Sequence, residues 1–179
     1  MAAFNQQDRH EDRLDWEILR DGSVALYWRR ELLDEDASWF RQQNYQVLSL
    51  DCGRWSSSDE MHMDLQRTLN LPAYYGKNLD ALNDCLSDLP VPEVGGIALV
   101  LSRFDAYAKG PGAAHVGSRR PEAEVVLDLF ARASRYHLLT GRRLLTLVQT
   151  DDPRIRFDGL ACVFADWNRR EWLNKNRGL

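Results

Sequence analysis

Cysteine is scarce in this chain: Cys52, Cys85 and Cys162 are odd in number and widely separated. No disulfide framework or thiolate metal site is expected, and reduced thiols fit a cytosolic location. Histidine is equally sparse. His10, His62, His115 and His137 form no ligand-spaced set, and no phosphate loop, Rossmann fingerprint or Ser-His-Asp order is present. Neither a metal, a cofactor nor a catalytic role is expected. No apolar run approaches the roughly 20 residues that span a bilayer. The opening Met-Ala-Ala-Phe-Asn-Gln-Gln-Asp lacks the basic-then-apolar layout of a signal peptide. A cytoplasmic protein without membrane contact is expected. Excess positive charge is also missing. The net charge is −4 and the pI about 5.6, which argues against direct nucleic-acid binding.

What is present is ample core-forming material: 44% of the 179 residues are hydrophobic, without low-complexity stretches. A compact, independently folding body with extensions is expected. Trp16 to Leu19 and Val24 to Arg29 flank Arg20-Asp21-Gly22-Ser23. Asp-Gly between apolar runs predicts a β-hairpin. Leu32 to Asn44 reads as a helix and Tyr45 to Leu50 as a strand. Ser57 and Glu60 make a capping box that opens a helix ending before Pro72. Ile97 to Leu101 and Leu144 to Val148 are apolar runs suited to strands covered on both faces. Between them, Val126, Leu129, Phe130 and Ala133 share a helix face, and residues 106–121 read as a mobile insertion. Gly159 to Phe164 predicts a short strand and Trp167 to Asn176 a terminal helix. The sum is an α/β fold with a small parallel sheet of about three strands. Residues 1–44 and 151–179 are expected to flank a central domain at 45–150.

The most informative stretch is Leu71 to Asp88. Pro72 disfavours helical backbone in Leu71, Gly76 permits a turn, and Asn78 is placed to cap a helix. Leu79, Leu82, Cys85, Leu86 and Leu89 form an inward stripe, while Asp80, Asp84 and Asp88 recur every four residues on another face. Like charges at this spacing repel by a few tenths of a kcal/mol per pair. Between Leu71 and Glu93, Lys77 alone opposes four carboxylates, a local net of −3. A solvated face is one reading of this ladder, and a docking surface for a cationic partner is the other.

The run Leu-Pro-x-Tyr-Tyr-Gly-x-Asn-Leu-Asp-Ala-Leu-x-Asp-Cys-Leu resembles the signature of the barstar family of ribonuclease inhibitors, with looser likeness from about Tyr45 to Gln149. The resemblance implies a barstar-like α/β fold and an inhibitor or immunity protein that plugs a basic ribonuclease or ribonuclease-type toxin with an acidic helix and the loop before it. It implies roles for Asp84 as central anchor, Asp80 as second anionic contact, Tyr74 as aromatic wall and Asn78 as the holder of the loop-to-helix geometry. Asn83 and Asp88 complete the expected partner-binding set. Two positions depart from the pattern. Asn83 stands where an aromatic is familiar, and Arg132 where the best-known members carry an acidic residue on a later helix. A cationic Arg132 would repel a basic enzyme at the rim, which points to a related but distinct nuclease.

Bland readings stand beside these. Tyr75 is expected to be packing and Cys85 a small hydrophobe on the inward stripe. Asp80 and Asp84 could serve as acid and base of an enzyme, but no partner base accompanies them. The aromatic, basic tail bearing Trp167, Arg169, Arg170 and Trp172 is expected to pack against the other end of the chain or the sheet edge of the domain. The lesser alternatives are that it stacks on bases, pairs two copies of the chain, or serves a diverged adaptor that binds another protein through its extensions.

Overall fold

A computed structural model describes residue 4 and residues 13–110, 120–157, 160 and 165–179. Five strands form one parallel sheet: β1 (Val24–Tyr27), β2 (Tyr45–Asp51), β3 (Gly96–Ser102), β4 (Leu144–Gln149) and β5 (Asp166–Trp167), in the order β2-β3-β4-β1-β5. Among the described residues six α-helices surround it: α1 (Leu14–Arg20), α2 (Arg30–Gln42), α3 (Ser58–Thr68), α4 (Leu79–Ser87), α5 (Phe104–Ala108) and α6 (Glu122–Leu139). The α/β reading holds, with five strands where about three were expected.

The period-two geometry of the strands divides the core in two. Ile97, Leu99 and Leu101 of β3, with Leu26, Leu144 and Val148, pack against Met61 and Leu65 of α3, Leu82 and Leu86 of α4, and Val126 and Phe130 of α6. Ala98 and Val100, with Ala25, Tyr27, Leu145 and Leu147, face Ile18 of α1 and Leu33, Ala37 and Phe40 of α2. Burial on both faces is why β3 reads as an unbroken apolar run over Ile97 to Leu101 and β4 as a nearly unbroken one, interrupted by buried Thr146. Buried Glu122, in the first turn of α6, accepts from Ser58 Oγ at 2.6 Å and from Tyr107 Oη at 2.8 Å, joining three helices through one carboxylate.

The expected opening hairpin is not formed. Residues 14–20 are helix α1, and β1 runs parallel to both its neighbours between β4 and β5. Gly22 (φ 125°) and Ser23 (φ 69°) reverse the chain after the helix, and Ser23 N–H donates to Ile18 O at 2.8 Å. A helix stop and a hairpin turn both place a glycine at positive φ, here Gly22 after Asp21 at φ −91°, so the Asp-Gly dipeptide alone could not separate them.

The expected terminal helix over Trp167 to Asn176 is also replaced. Asp166 and Trp167 pair with Ala25 and Leu26, and only Asn174–Arg177 forms a short 3-10 turn. Asn168 backbone N–H and Nδ2 both donate to Leu26 O, at 2.9 and 3.0 Å. Buried Glu171 accepts from the backbone N–H of Trp28 and of Arg29, each at 2.9 Å. Side chains that take up strand-end backbone groups compete with helix continuation. Residues 106–108 of the expected insertion belong to α5; residues 111–119 and most of the expected strand Gly159 to Phe164 lie outside the described residues, as do His10, His115 and Cys162.

Candidate functional site

The loop before α4 is fixed at several points. Leu71 N–H donates to Gln66 O at 2.9 Å, Gln66 Nε2 to Pro72 O at 3.1 Å, and Tyr75 N–H to Pro72 O at 2.9 Å. Tyr75 is buried and its hydroxyl meets His62 Nδ1 on α3, the packing role expected of it. Burial holds the His62 imidazole below its ordinary pKa, outweighing the nearby carboxylates of Glu122 and Asp59. The adjacent Tyr74 points the other way and is 86% exposed. One residue of this pair anchors the loop and the other is presented by it.

The positive-φ residue of the turn is Lys77 (φ 49°), not Gly76. Gly76 matters for closeness instead: a Cβ there would lie 3.2 Å from Asn78 Nδ2 and 3.5 Å from Ala81 Cβ. Asn78 is extended (φ −142°), its Oδ1 accepts from Ala81 N–H at 2.8 Å and its Nδ2 donates to Gly76 O at 3.2 Å. Asn78 is therefore the N-cap, satisfying an otherwise orphan amide. At the other end of the helix, His137 Nε2 of α6 meets Leu86 O at 2.8 Å, so α4 is seated on α6.

Leu82 and Leu86 are fully buried and Leu89 nearly so, while Leu79 and Cys85 are half-buried at the stripe's edge. Asp80, Asp84 and Asp88 are all exposed, and none forms an ion pair with a described Lys or Arg. Asp80 sits in the first turn, where the helix dipole favours a carboxylate. Asp88 is at the C-cap, where the dipole opposes one. Half-buried Asn83 donates Nδ2 to Asp84 Oδ1 at 3.4 Å. Tyr74, Asn78, Asp80, Asn83, Asp84 and Asp88 thus belong to one loop-helix unit, of which Asn78 is structural and the other five face outward wholly or in part.

A cavity of about 620 Å³ lies elsewhere, against α1, β1 and β5, lined among others by Glu17, Asp166, Trp167 and Trp172. Among the described residues no group of three or more His, Cys, Asp or Glu is arranged to hold a metal ion, and no helix is long and apolar enough to cross a membrane.

Residues 45–149 match the family described as Barstar (barnase inhibitor). The chain belongs to the barstar family. A Bacillus subtilis (strain 168) protein named "Putative ribonuclease inhibitor YrdF" is 41% identical over 59 residues, 31% of this chain and 58% of that protein. The chain therefore spans less than two thirds of that relative's length. The matched family region comprises β2, α3, α4, β3, α5, α6 and β4. In this barstar-family member β1, β5, α1 and α2 add two strands and the helical cover of one sheet face.

Sequence reasoning left one feature of the site unread. Beside Asn83 and Ser87, a groove of about 380 Å³ separates α4 from α6 and is lined by Arg132, Arg135, Tyr136 and Leu139. The signal was present in α6: once Val126, Leu129, Phe130 and Ala133 face inward, positions 132, 136 and 139 share the outer face.

Proposed function

We propose that this protein is a cytoplasmic immunity protein that binds a cationic ribonuclease or ribonuclease-type toxin and occludes its active site without catalysis. The observation that carries this reading is the exposed, unpaired Asp80-Asp84-Asp88 ladder on a capped helix, continuous with exposed Tyr74 and lying inside the family region. A ribonuclease holds phosphates with cationic donors. Carboxylates held in a row on a capped helix can take the same donors as charge-assisted hydrogen bonds. In this scheme Asp84 is the anchor, Asp80 the second anion, and Tyr74 an aromatic wall against the enzyme. Asn78 holds the loop at its entry angle to the helix. Mutual repulsion within the ladder is relieved only when a cation arrives, so the free protein stores a small part of the driving force. Opposite fields also speed encounter and weaken with added salt. Cys52 and Cys85 are free thiols, which suits a reducing compartment.

The test is RNA cleavage by barnase and related basic ribonucleases, titrated with wild type and with D80A/D84A of matched circular dichroism. Wild type should abolish cleavage by at least one of these enzymes near one equivalent while the variant does not. Equal inhibition by both proteins, or none by either, would sink the reading.

A second reading, an adaptor acting through its extensions, draws on Trp172 and Leu173, both at least half exposed beside the 620 Å³ cavity. Deleting residues 1–44 cannot test it, because that removes β1 from within the sheet. W172A/L173A addresses it: loss of a non-nuclease partner by this variant and not by D80A/D84A, with no nuclease inhibited by wild type, would favour the adaptor.

A further inference from the structure

The groove between α4 and α6 adjoins the acidic ridge and carries the opposite charge. Asn83 lines the groove and also donates to Asp84, so the two features share a wall. Arg132 and Arg135 are exposed, and neither forms an ion pair with a described carboxylate. Some exposed arginines are engaged, Arg20 with Asp21, Arg67 with Asp64 and Arg169 with Glu17, whereas Arg30, Arg41 and Arg156 are, like Arg132 and Arg135, without an ion pair to a described carboxylate. What sets Arg132 and Arg135 apart is that both line one groove. Tyr136 and Leu139, 52% and 87% exposed, give the same groove an apolar floor and lip. Its walls are held together through His137 Nε2 and Leu86 O, and Ser87 Oγ donates to Asn83 O at 3.0 Å.

Resting on the inhibitor reading, the geometry points to this groove as the selectivity pocket of the binding surface, which receives a protruding segment of the target nuclease carrying an aspartate or glutamate. The surface is then bipolar. Its acidic ridge takes the cationic active site, and its cationic groove requires an anion about one helix diameter away. A uniformly basic enzyme meets attraction at Asp84 and repulsion at Arg132 and Arg135, so the groove rejects near relatives of the target that lack the carboxylate. The apolar floor confines the occupant to a protruding segment and excludes a fully solvated side chain.

The probe is barnase, with single Arg→Glu and Lys→Glu replacements introduced outside its catalytic cleft. Each form is titrated by calorimetry at low salt against the full-length wild type, R132E/R135E and D80A/D84A. At least one replacement should tighten binding to wild type about tenfold and weaken binding to R132E/R135E by a similar factor, as close charge pairs couple. R132K/R135K should behave like wild type, since charge and not shape is tested. If no replacement separates wild type from R132E/R135E, the groove lies outside the interface and the inference is overturned. Should D80A/D84A bind as tightly as wild type, the inhibitor reading itself falls, a failure read independently of the groove.

Discussion

Carboxylates are treated in two opposite ways in this molecule. Asp15 and Glu171, near the two ends of the chain, are fully buried and closely partnered. Asp15 accepts from Arg13 Nη2 at 2.7 Å, Tyr45 Oη at 2.6 Å and Arg143 Nη1 at 3.2 Å, which ties α1 to the starts of β2 and β4. Glu171 secures the end of β1. Asp80, Asp84 and Asp88 have no described cationic partner and meet water. A buried charge must be paired to be tolerated. An exposed one has no such need, so a capped helix that keeps three of them unpaired and in line stands out against a protein that pairs its acids where it must. The buried set acts on folding, and the exposed set is the one to which the proposed inhibitor reading gives recognition.

The largest effect should come from breaking that division at Asp84. Asp84→Ala is expected to weaken nuclease binding at least a hundredfold, on the order of 3 kcal/mol, while urea unfolding shifts by less than about 0.5 kcal/mol. A stability loss equal to the affinity loss would erase the contrast. Asp15→Asn should do the reverse, costing about 3 kcal/mol of stability and leaving the affinity of the folded protein unchanged. The pH dependence sharpens this. Burial pushes the Asp15 carboxyl up, but the hydrogen bonds from Arg13 and Tyr45 and the charges of Arg13 and Arg143 outweigh it, so its pKa lies below the ordinary aspartate value. Its stabilisation is present above about pH 4, the unfolded-chain value, and is lost as pH falls through the folded pKa. Denaturation midpoints measured between pH 2 and 6 should fall more steeply with acid in wild type than in Asp15→Asn. The smallest effect is expected where the two roles meet. Asn78→Ala should cost about 1 kcal/mol of stability through the lost cap and a few-fold in affinity, and Asn78→Asp should restore the stability.

Much of this was legible in sequence, for local reasons. β3 and β4 announce themselves because burial on two faces leaves them almost wholly apolar, with Thr146 the one polar residue inside the Leu144–Val148 run, and Asn78 because a cap and a preceding proline are short-range signals. Ser57 also behaves as a cap, accepting from Glu60 N–H at 3.2 Å, though the Glu60 side chain reaches Ser56 and not Ser57 to close the box. The hairpin was misread because Asp21-Gly22 satisfies two turn types, and only the distant partner β4 decides which forms. The tail was misread because its side chains have partners far away in sequence. Arg177 lies over the Trp167 ring at 4.3 Å, and Arg170 pairs with Glu35 at 2.5 Å and Asp36 at 2.6 Å, so cations that could have stacked on bases are taken up internally. Arg132 was noticed as a departure from the family, but its groove needs two helices to exist.

The position of β1 also governs when the molecule can assemble. This strand is translated before the edge it joins, Thr146 to Gln149, which follows some 120 residues later. Pairing across that separation closes a long loop and is slow. Until β4 emerges, Val24–Tyr27 and the apolar faces of α1 and α2 have no sheet to cover, and they are the segments most open to chaperones, proteases and self-association during synthesis.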